Sequence, residues 1–372
     1  MENVVNENKQ SKLSLFLNAV ARAFKNKTFI YILKRVISLL FTLLLIVALV
    51  TLLIRLLPDT KLYNLSQYKI LEGKYGHDYA ERYKVSELFR YGRYDANGNP
   101  VPVLYSIFQY IYWILPIPKS VPIAWSSDYT RIIRYWNGLC YFGRSIDSGE
   151  YVLDSFVSRM GISFEISLIS LGLGYLVGYP LGIAMSKKPG GVVDKIGNVF
   201  VVLNYAIPGL VFYLIMQKAL AGPFGPSYDV LRPSFTQLLP AIFSTAFLSI
   251  PGIIIWLRRF MLDELNSDYV KFARSKGLSE NRIMYTHVLR NAIVPLARNI
   301  PITFLGAIVG SYFVERIWSI PGTGDLLTTA LQGLDVPVIQ GLTVIYSLIG
   351  MIAFLLGDLI TVFFDPRIKL VE

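Results

Sequence analysis

The sequence has few of the residue types on which most catalytic and metal sites depend. A single cysteine, Cys140, excludes an intramolecular disulfide bond. His77 and His287 are the only histidines, and the predicted membrane topology separates them, which excludes a histidine-based metal site or catalytic pair. The sequence also lacks a G-x-x-x-x-G-K-[ST] nucleotide-binding loop and a serine nucleophile elbow. We therefore expect no catalytic residue, metal or cofactor in this chain.

Charged side chains are also scarce, at 16% of 372 residues, whereas 53% of the residues are hydrophobic. An average soluble domain carries about 25% charged residues. Six apolar runs approach or exceed the roughly 20 residues that a spanning helix needs. They lie near Phe29–Leu57, Ile162–Ser186, Ile196–Ala219, Leu238–Leu257, Ile293–Phe313 and Gly341–Phe364. The sequence therefore predicts an all-α integral membrane protein with six transmembrane helices.

The distribution of basic residues predicts the orientation of these helices. Most lysines and arginines fall in segments that the six spans place on one side: Lys9, Lys12, Arg22, Lys25, Lys27, Lys34, Arg35, Lys187, Lys188, Lys195, Arg258, Arg259, Lys271, Arg274, Lys276, Arg282, Arg290, Arg298, Arg367 and Lys369. The short loops opposite hold only Lys218, Arg232 and Arg316. Both termini are therefore predicted to be cytoplasmic. The net charge of +11 fits this topology and anionic lipid better than nucleic acid, because no nucleic-acid-reading motif accompanies it.

The spans divide the chain into five parts. These are a cytoplasmic extension 1–28, a first transmembrane helix 29–57, an extracellular insertion 58–152, a five-helix core 153–365 and a cytoplasmic tail 366–372. The insertion holds 14 of the 24 tyrosines, so we expect it to be ordered, since disordered chains are poor in aromatic residues. Its apolar run Val103–Pro118 is too short to span a membrane. It forms the core of the insertion or lies in the membrane interface.

Helix-breaking, small and polar residues interrupt the predicted spans: Pro180, Pro208, Pro240, Pro251, Pro301, Gly172, Gly174, Gly178 and Gly182. Such residues permit either close packing of helices or rocking of one helix against another. Polar groups at membrane depth are costly and often line a pathway. Glu165, Asn204 and Asp358 are therefore candidates for a translocation pathway. A structural ion pair or an interfacial position is the alternative for Glu165 and Asp358.

The most informative segment is the charged loop 259–292 between the fourth and fifth spans. Ser267 or Asp268 can cap a short helix, and Gly277 can take the left-handed conformation that ends it. Ser279 can cap a second helix that leads back to the membrane. The pattern predicts a stiff, basic projection on the cytoplasmic face, which suits a partner protein better than a substrate.

The same loop resembles the cytoplasmic coupling motif of ABC importer permeases. Only Ala273, Gly277 and Leu289 fit the general consensus, whereas Phe272–Leu278 followed by His287–Ala292 is similar to the peptide and nickel permeases. The resemblance implies an ATPase-coupling role, with Ala273 allowing close approach, for Asp268, Phe272, Ala273, Arg274, Lys276, Gly277, Leu278 and His287. Four further segments agree with it, in the same order along the chain: Ile32–Arg35 with Arg55–Pro58, Phe142–Ile146, Pro321–Gly324 and Phe364–Ile368.

Together these segments resemble the B-type subunit of oligopeptide importers, of the Opp and Ami type. The resemblance implies the type I ABC importer permease fold in the plasma membrane of a Gram-positive bacterium. It further implies a second homologous permease, two cytoplasmic ATPases that bind ATP and Mg²⁺, an extracellular peptide-binding lipoprotein and a peptide substrate. Residues 1–27 and about 80 residues of the insertion depart from the family pattern. A dipeptide or nickel permease is the alternative within the family, and a stand-alone secondary transporter is the alternative outside it.

Overall fold

The computed structural model describes residues 27–95, 97–224 and 233–364. The predicted extension 1–28 and tail 366–372 fall almost wholly outside these ranges, as do Arg232 and most of Phe364–Ile368. The first part of the chain forms α1 (Lys27–Arg55), α2 (Leu65–Tyr75), α3 (His77–Arg90), α4 (Val103–Ile114), β1 (Lys119–Trp125) and β2 (Ile132–Gly138). The second part begins with α5 (Val152–Lys187), α6 (Val192–Ala206), α7 (Gly209–Phe224), α8 (Phe235–Leu265), α9 (Asp268–Ser275), α10 (Glu280–Arg282) and α11 (Leu289–Ala292). It ends with α12 (Val294–Ala297), α13 (Asn299–Val309), α14 (Tyr312–Ile317), α15 (Thr323–Gly333) and α16 (Val336–Phe364).

Within these ranges, five helical stretches are long and apolar enough to cross a membrane. They are α1, α5, α8, the run Val294–Ile317 through α12 to α14, and α16. A sixth span results if α6 and α7, which meet at an angle of 91°, are counted as one broken helix. Pro208 lies at this break, where it cannot donate a backbone hydrogen bond. Each of the six predicted apolar runs therefore corresponds to one of these elements.

The most extensive packing in the bundle joins α5 to α8, and glycine makes it possible. Gly174, Gly178 and Gly182 follow one another at one-turn intervals on the face of α5 that meets α8. A Cβ atom at Gly178 would lie 2.8 Å from Cγ2 of Ile253, closer than side chains approach. Gly172, in contrast, faces open space. Close helix packing, one of the two interpretations of these glycines, therefore applies to three of the four.

Residues 58–152 form an ordered unit with a core of its own. Leu71, Ala80 and Tyr83 of α2 and α3 are buried together, and further tyrosines pack around them. β1 and β2 pair antiparallel, with Lys119 opposite Gly138. This hairpin is the one departure from the predicted all-α class in the described residues. It follows from the β-branched and aromatic residues of both strands, which favour extended structure.

Two arginines fasten this unit to the end of α1. Arg93 is buried and donates hydrogen bonds to the carbonyl oxygens of Ile54 (3.0 Å) and Leu57 (2.6 Å). It thereby satisfies acceptors that the end of a helix leaves free. Arg55 of α1 in turn bonds to the insertion, because its Nη2 donates to the carbonyl oxygen of Val101 at 2.8 Å. The insertion is therefore built onto α1.

Candidate functional site

The segment after α8 folds into a compact projection, here named the knob (residues 266–292). It contains α9, α10, a π-helical stretch Ile283–Val288 and α11. Val270 and Met284 of the knob are buried against Leu257 and Met261 of α8. Because Met261 belongs to this core, α8 continues to Leu265, and the predicted loop 259–292 begins as helix. The knob and the end of α8 therefore share one hydrophobic core.

The turns of the knob lie where the sequence predicts them. Ser267 and Ser279 occupy the positions before α9 and α10. The Ser267 hydroxyl, however, donates to the Glu264 carbonyl oxygen at 2.6 Å instead of accepting from α9. Gly277 has a φ angle of +75°, which confirms the predicted left-handed turn. A Cβ atom there would meet nothing within 4 Å. Glycine is therefore favoured here because of its backbone conformation, and not because a side chain would clash with a neighbour.

The outer surface of the knob combines an exposed ring with charges that are paired within the knob. Phe272 is 59% exposed, and the Lys276 ammonium lies 4.4 Å from the centre of its ring. Across the Gly277 turn, Arg274 Nε and Nη2 donate to the two carboxylate oxygens of Glu280, at 2.8 and 3.2 Å. This hydrogen-bonded pair lowers the pKa of Glu280 and raises the pKa of Arg274. Phe272 and Tyr285, which is 51% exposed, are the large aromatic side chains that the knob presents outward.

The other predicted coupling residues support the knob from within or lie at its edge. Ala273 is buried in the core of the knob, and Leu278 packs against that core. His287 is half-buried in the π-helical stretch. Asp268 is exposed and pairs with Lys271 at 2.9 Å, which lowers the pKa of its carboxyl. The close approach that Ala273 permits is thus internal to the knob, because its methyl group faces inward.

Two of the pathway candidates have contrasting surroundings. Glu165 lies on α5, is exposed, and makes no hydrogen bond or ion pair with any residue that the structure describes. Asn204 is buried on α6, and its Nδ2 donates to the Phe247 carbonyl oxygen of α8 at 3.3 Å. Among the described residues the Glu165 carboxylate therefore stays unpaired, whereas Asn204 links two helices of the bundle.

The third pathway candidate, Asp358, lies in an ion triad at the end of the bundle near the knob. Its carboxylate is buried and contacts Arg35 Nε and Arg298 Nη2, both at 2.9 Å. The triad joins α1, the start of α13 and α16. Asp358 therefore forms a structural ion pair, which was the alternative to a pathway role in the sequence analysis.

Replacing Asp358 with asparagine should lower the stability of the bundle by about 2 kcal/mol. Breaking a buried pair costs about 3–5 kcal/mol, and the partial exposure of both arginines reduces this figure. Thermal unfolding of the purified chain in detergent measures the effect. Arg298→Gln removes only one of the two pairs and should cost less. A loss of transport in Asp358→Asn with unchanged thermal stability would instead support a pathway role.

Two buried carboxylates that the sequence did not single out hold other parts of the bundle. Asp194 accepts from Arg258 Nε and Nη2, at 2.7 and 2.9 Å, and thereby joins α6 to the end of α8 that carries the knob. Glu315 is 1% exposed and accepts from the backbone amides of Gly324 (2.7 Å) and Asp325 (3.0 Å). The predicted fifth span ends near Phe313 and therefore leaves Glu315 outside it. Gly310, Gly322 and Gly324 are close to Glu315 in sequence, and these glycines were the signal that could have indicated a closely packed site.

Comparison with known proteins places this bundle and its knob in one family. Residues 178–370, more than half of the chain, match the family described as "Binding-protein-dependent transport system inner membrane component". The matched segment includes the whole knob.

The descriptions of two relatives, AmiC and DppB, agree with this match. The chain is 34% identical over 210 residues to the oligopeptide transport system permease protein AmiC of Streptococcus pneumoniae, across 55% of this chain and 42% of AmiC. It is 30% identical over 230 residues to the dipeptide transport system permease protein DppB of Lactococcus lactis, across 62% of this chain and 76% of DppB. A solved structure of the MetNI methionine ABC transporter covers 57% of this chain at 18% identity, with a TM-score of 0.47. The match spans less than half the length of AmiC. The chain belongs to the family of inner membrane components of binding-protein-dependent transport systems.

Proposed function

We propose that this chain is the permease subunit of an ATP-driven importer that takes up oligopeptides delivered by an extracellular binding protein. The knob carries the proposal, because it presents Phe272 on a projection whose hydrophobic core is shared with α8. The descriptions of AmiC and DppB as peptide permeases support a peptide cargo. The chain supplies the pathway and the coupling surface, and partner subunits hydrolyse ATP.

The full transporter contains a second homologous permease and two cytoplasmic ATPases that bind ATP and Mg²⁺. The knob lies at the same end of the bundle as the Arg35–Asp358 ion pair, whereas the insertion is fastened at Arg55, the opposite end of α1. Because basic residues gather at the knob end, that end is cytoplasmic and the insertion is extracellular. Closure of the ATPases pushes the knob, and the shared core passes this movement to α8 and α5.

Gentle purification of the tagged chain from its native membrane tests this assembly. We expect to recover a second permease and two ATPases, and we expect peptide uptake by the reconstituted assembly to require ATP. A chain that purifies alone and still transports after reconstitution would contradict the proposal and favour a secondary transporter.

Replacing Phe272 with alanine should release the ATPases while the permease stays folded. A central exposed ring of this kind contributes about 2 kcal/mol or more to an interface, which is roughly 30-fold in affinity. Affinity for the isolated ATPases and their recovery in co-purification measure the effect. Tyr75→Ala is the matched control, because Tyr75 is 55% exposed but lies in the insertion. Wild-type affinity in Phe272→Ala would contradict the proposed coupling surface.

The insertion provides a docking surface for the peptide-binding lipoprotein. Deleting residues 62–135 is a poor test, because it removes Arg93 and α4 from the surface of α1. Replacing Ile70 and Tyr75 of α2 with serine leaves the buried core intact, since both side chains are exposed. The double variant should weaken docking of the binding protein and leave ATPase assembly unchanged. Unchanged affinity for the binding protein would remove this role.

A dipeptide importer is the second candidate, because DppB, whose description names dipeptide transport, is 30% identical to this chain over 76% of its length. Competition between labelled dipeptides and longer peptides for uptake by the complete transporter distinguishes the two. Glu165 suits either cargo, since a free carboxylate can pair with the ammonium group at a peptide N-terminus.

A further inference from the structure

The apolar helix α4 lies along α1, although it belongs to the insertion. At its start, Ser106 contacts the Arg55 guanidinium. One turn later, Tyr110 is buried in a cluster with Leu43 and Val47 of α1, and Ile114 packs against the same cluster. α4 therefore begins at the level of Arg55 and runs back along α1 towards its middle.

This course brings α4 beside the part of α1 that crosses the membrane. No charged residue lies between Arg35 and Arg55, and this stretch of α1 is about 30 Å long, the thickness of a hydrocarbon core. Between Ser106 and Ile114, α4 descends by about 12 Å beside that stretch. α4 is itself free of charged residues. It thus enters the apolar layer and does not cross it.

The side of α4 that faces away from α1 is apolar and uncovered. It carries five exposed side chains: Leu104, Tyr105, Phe108, Tyr112 and Leu115. Leu104 is 70% and Phe108 is 68% exposed. The neighbouring surface of α1 is equally apolar, with Leu49, Leu52 and Leu53 exposed. Both helices therefore expose large apolar side chains, which a surface covered by lipid or by protein explains better than one in water.

The carbonyl groups at the end of α4 accept hydrogen bonds from within the protein, as the end of a helix inside the hydrocarbon layer of a membrane must. Lys119 is buried, and its Nζ donates to the carbonyl oxygens of Tyr112, Trp113 and Leu115, at 2.5, 2.9 and 2.5 Å. In water these carbonyls would be hydrated, but at membrane depth they must find partners within the protein. β1 then leads the chain away, and Trp125 at its end packs against Phe89 of α3.

We propose that α4 is a re-entrant helix whose outer face is covered by membrane lipid in the assembled transporter. Leu104, Tyr105, Phe108, Tyr112 and Leu115 form this face, which continues the lipid-facing surface of α1. Lys119 donates hydrogen bonds to the carbonyl groups at the end of the helix that lies within the membrane. The inference goes beyond the transport function, because it assigns a membrane contact to the insertion and holds for any cargo.

Photocrosslinking in the complete transporter, reconstituted in phospholipid nanodiscs without the binding protein, tests the proposal. A benzoylphenylalanine replaces Phe108 or Tyr112, and mass spectrometry identifies what it captures. The same group at Leu49 of α1 is the lipid reference, and at Tyr75 of α2 it is an exposed control outside the apolar surface. We expect phospholipid adducts at Phe108 and Tyr112 in yields similar to that at Leu49, and none at Tyr75.

Two outcomes would overturn the assignment. A crosslink from Phe108 to the second permease would show that a protein covers this face. A lack of adducts at Phe108 and Tyr112, as at Tyr75, would show that the face lies in water. Lys119→Met should lower the yield of lipid adduct at Tyr112, while Lys119→Arg should retain it. An unchanged yield in Lys119→Met would overturn the role of Lys119. All these readouts detect lipid and do not depend on peptide transport.

Discussion

Replacing Gly277 with aspartate is expected to abolish peptide uptake while the protein remains inserted in the membrane. The φ angle of +75° strains any residue with a side chain, at a cost of about 1–2 kcal/mol, and less for aspartate than for most residues. This cost is too small to unfold the bundle, and a Cβ atom at this position meets no neighbour. The new carboxylate, however, adds a negative charge to the turn between Arg274 and Glu280, where we expect it to compete for the guanidinium. The damage should therefore be confined to the coupling surface.

Gly277→Asn is the matched control for this experiment. Asparagine has nearly the size of aspartate and tolerates the left-handed region, but it adds no charge beside Arg274. It should retain most of the uptake, whereas Gly277→Asp should lose uptake and the co-purified ATPases. Membrane fractionation establishes that both variants are inserted. Normal uptake by an inserted Gly277→Asp would contradict the assignment of the knob as the coupling site.

The bundle and the turns of the knob could be predicted from sequence because their signals are local. An apolar run of sufficient length identifies a span without knowledge of its neighbours. The left-handed turn at Gly277 likewise depends on one residue, since glycine is the residue that adopts this conformation without strain. Which side chains of the knob are buried and which are exposed was harder to predict from the sequence. Ala273 and Phe272 are adjacent in sequence, yet one is buried and the other exposed.

The position of the insertion could not be predicted, because it depends on contacts between distant parts of the chain. Val103–Pro118 was expected either in the core of the insertion or at the membrane interface. In the structure one face of α4 is buried against α1, and the opposite face is exposed. Nothing in the sequence around Tyr110 or around Val47 predicts that these two residues pack in one cluster. The same limit explains why Asp358 could not be assigned to an ion pair before Arg35 and Arg298 were found beside it.

Glu315 is the clearest residue whose importance depends on such distant contacts. Its carboxylate accepts from the backbone amide of Ser311 at 3.1 Å and from those of Gly324 and Asp325. Next to it, the Ser163 hydroxyl of α5 accepts from the Thr323 amide at 2.8 Å. The carboxylate thus joins α14 to the start of α15, and Ser163 joins the start of α15 to α5. Gly324 permits this approach, since a Cβ atom there would lie 2.8 Å from the Tyr312 nitrogen.

Replacing Glu315 with alanine is expected to destabilise the bundle by about 3–5 kcal/mol, because it leaves one buried and two partly buried amides without acceptors, at about 1–3 kcal/mol each. A large fall in the unfolding temperature of the purified protein measures this effect. Glu165→Gln is the matched control, since Glu165 also lies in a spanning helix but has no partner among the described residues. It should lower peptide uptake and leave the unfolding temperature unchanged. If Glu315→Ala were as stable as the wild type, the three amides would have to find other acceptors, and the carboxylate would not hold these helices together.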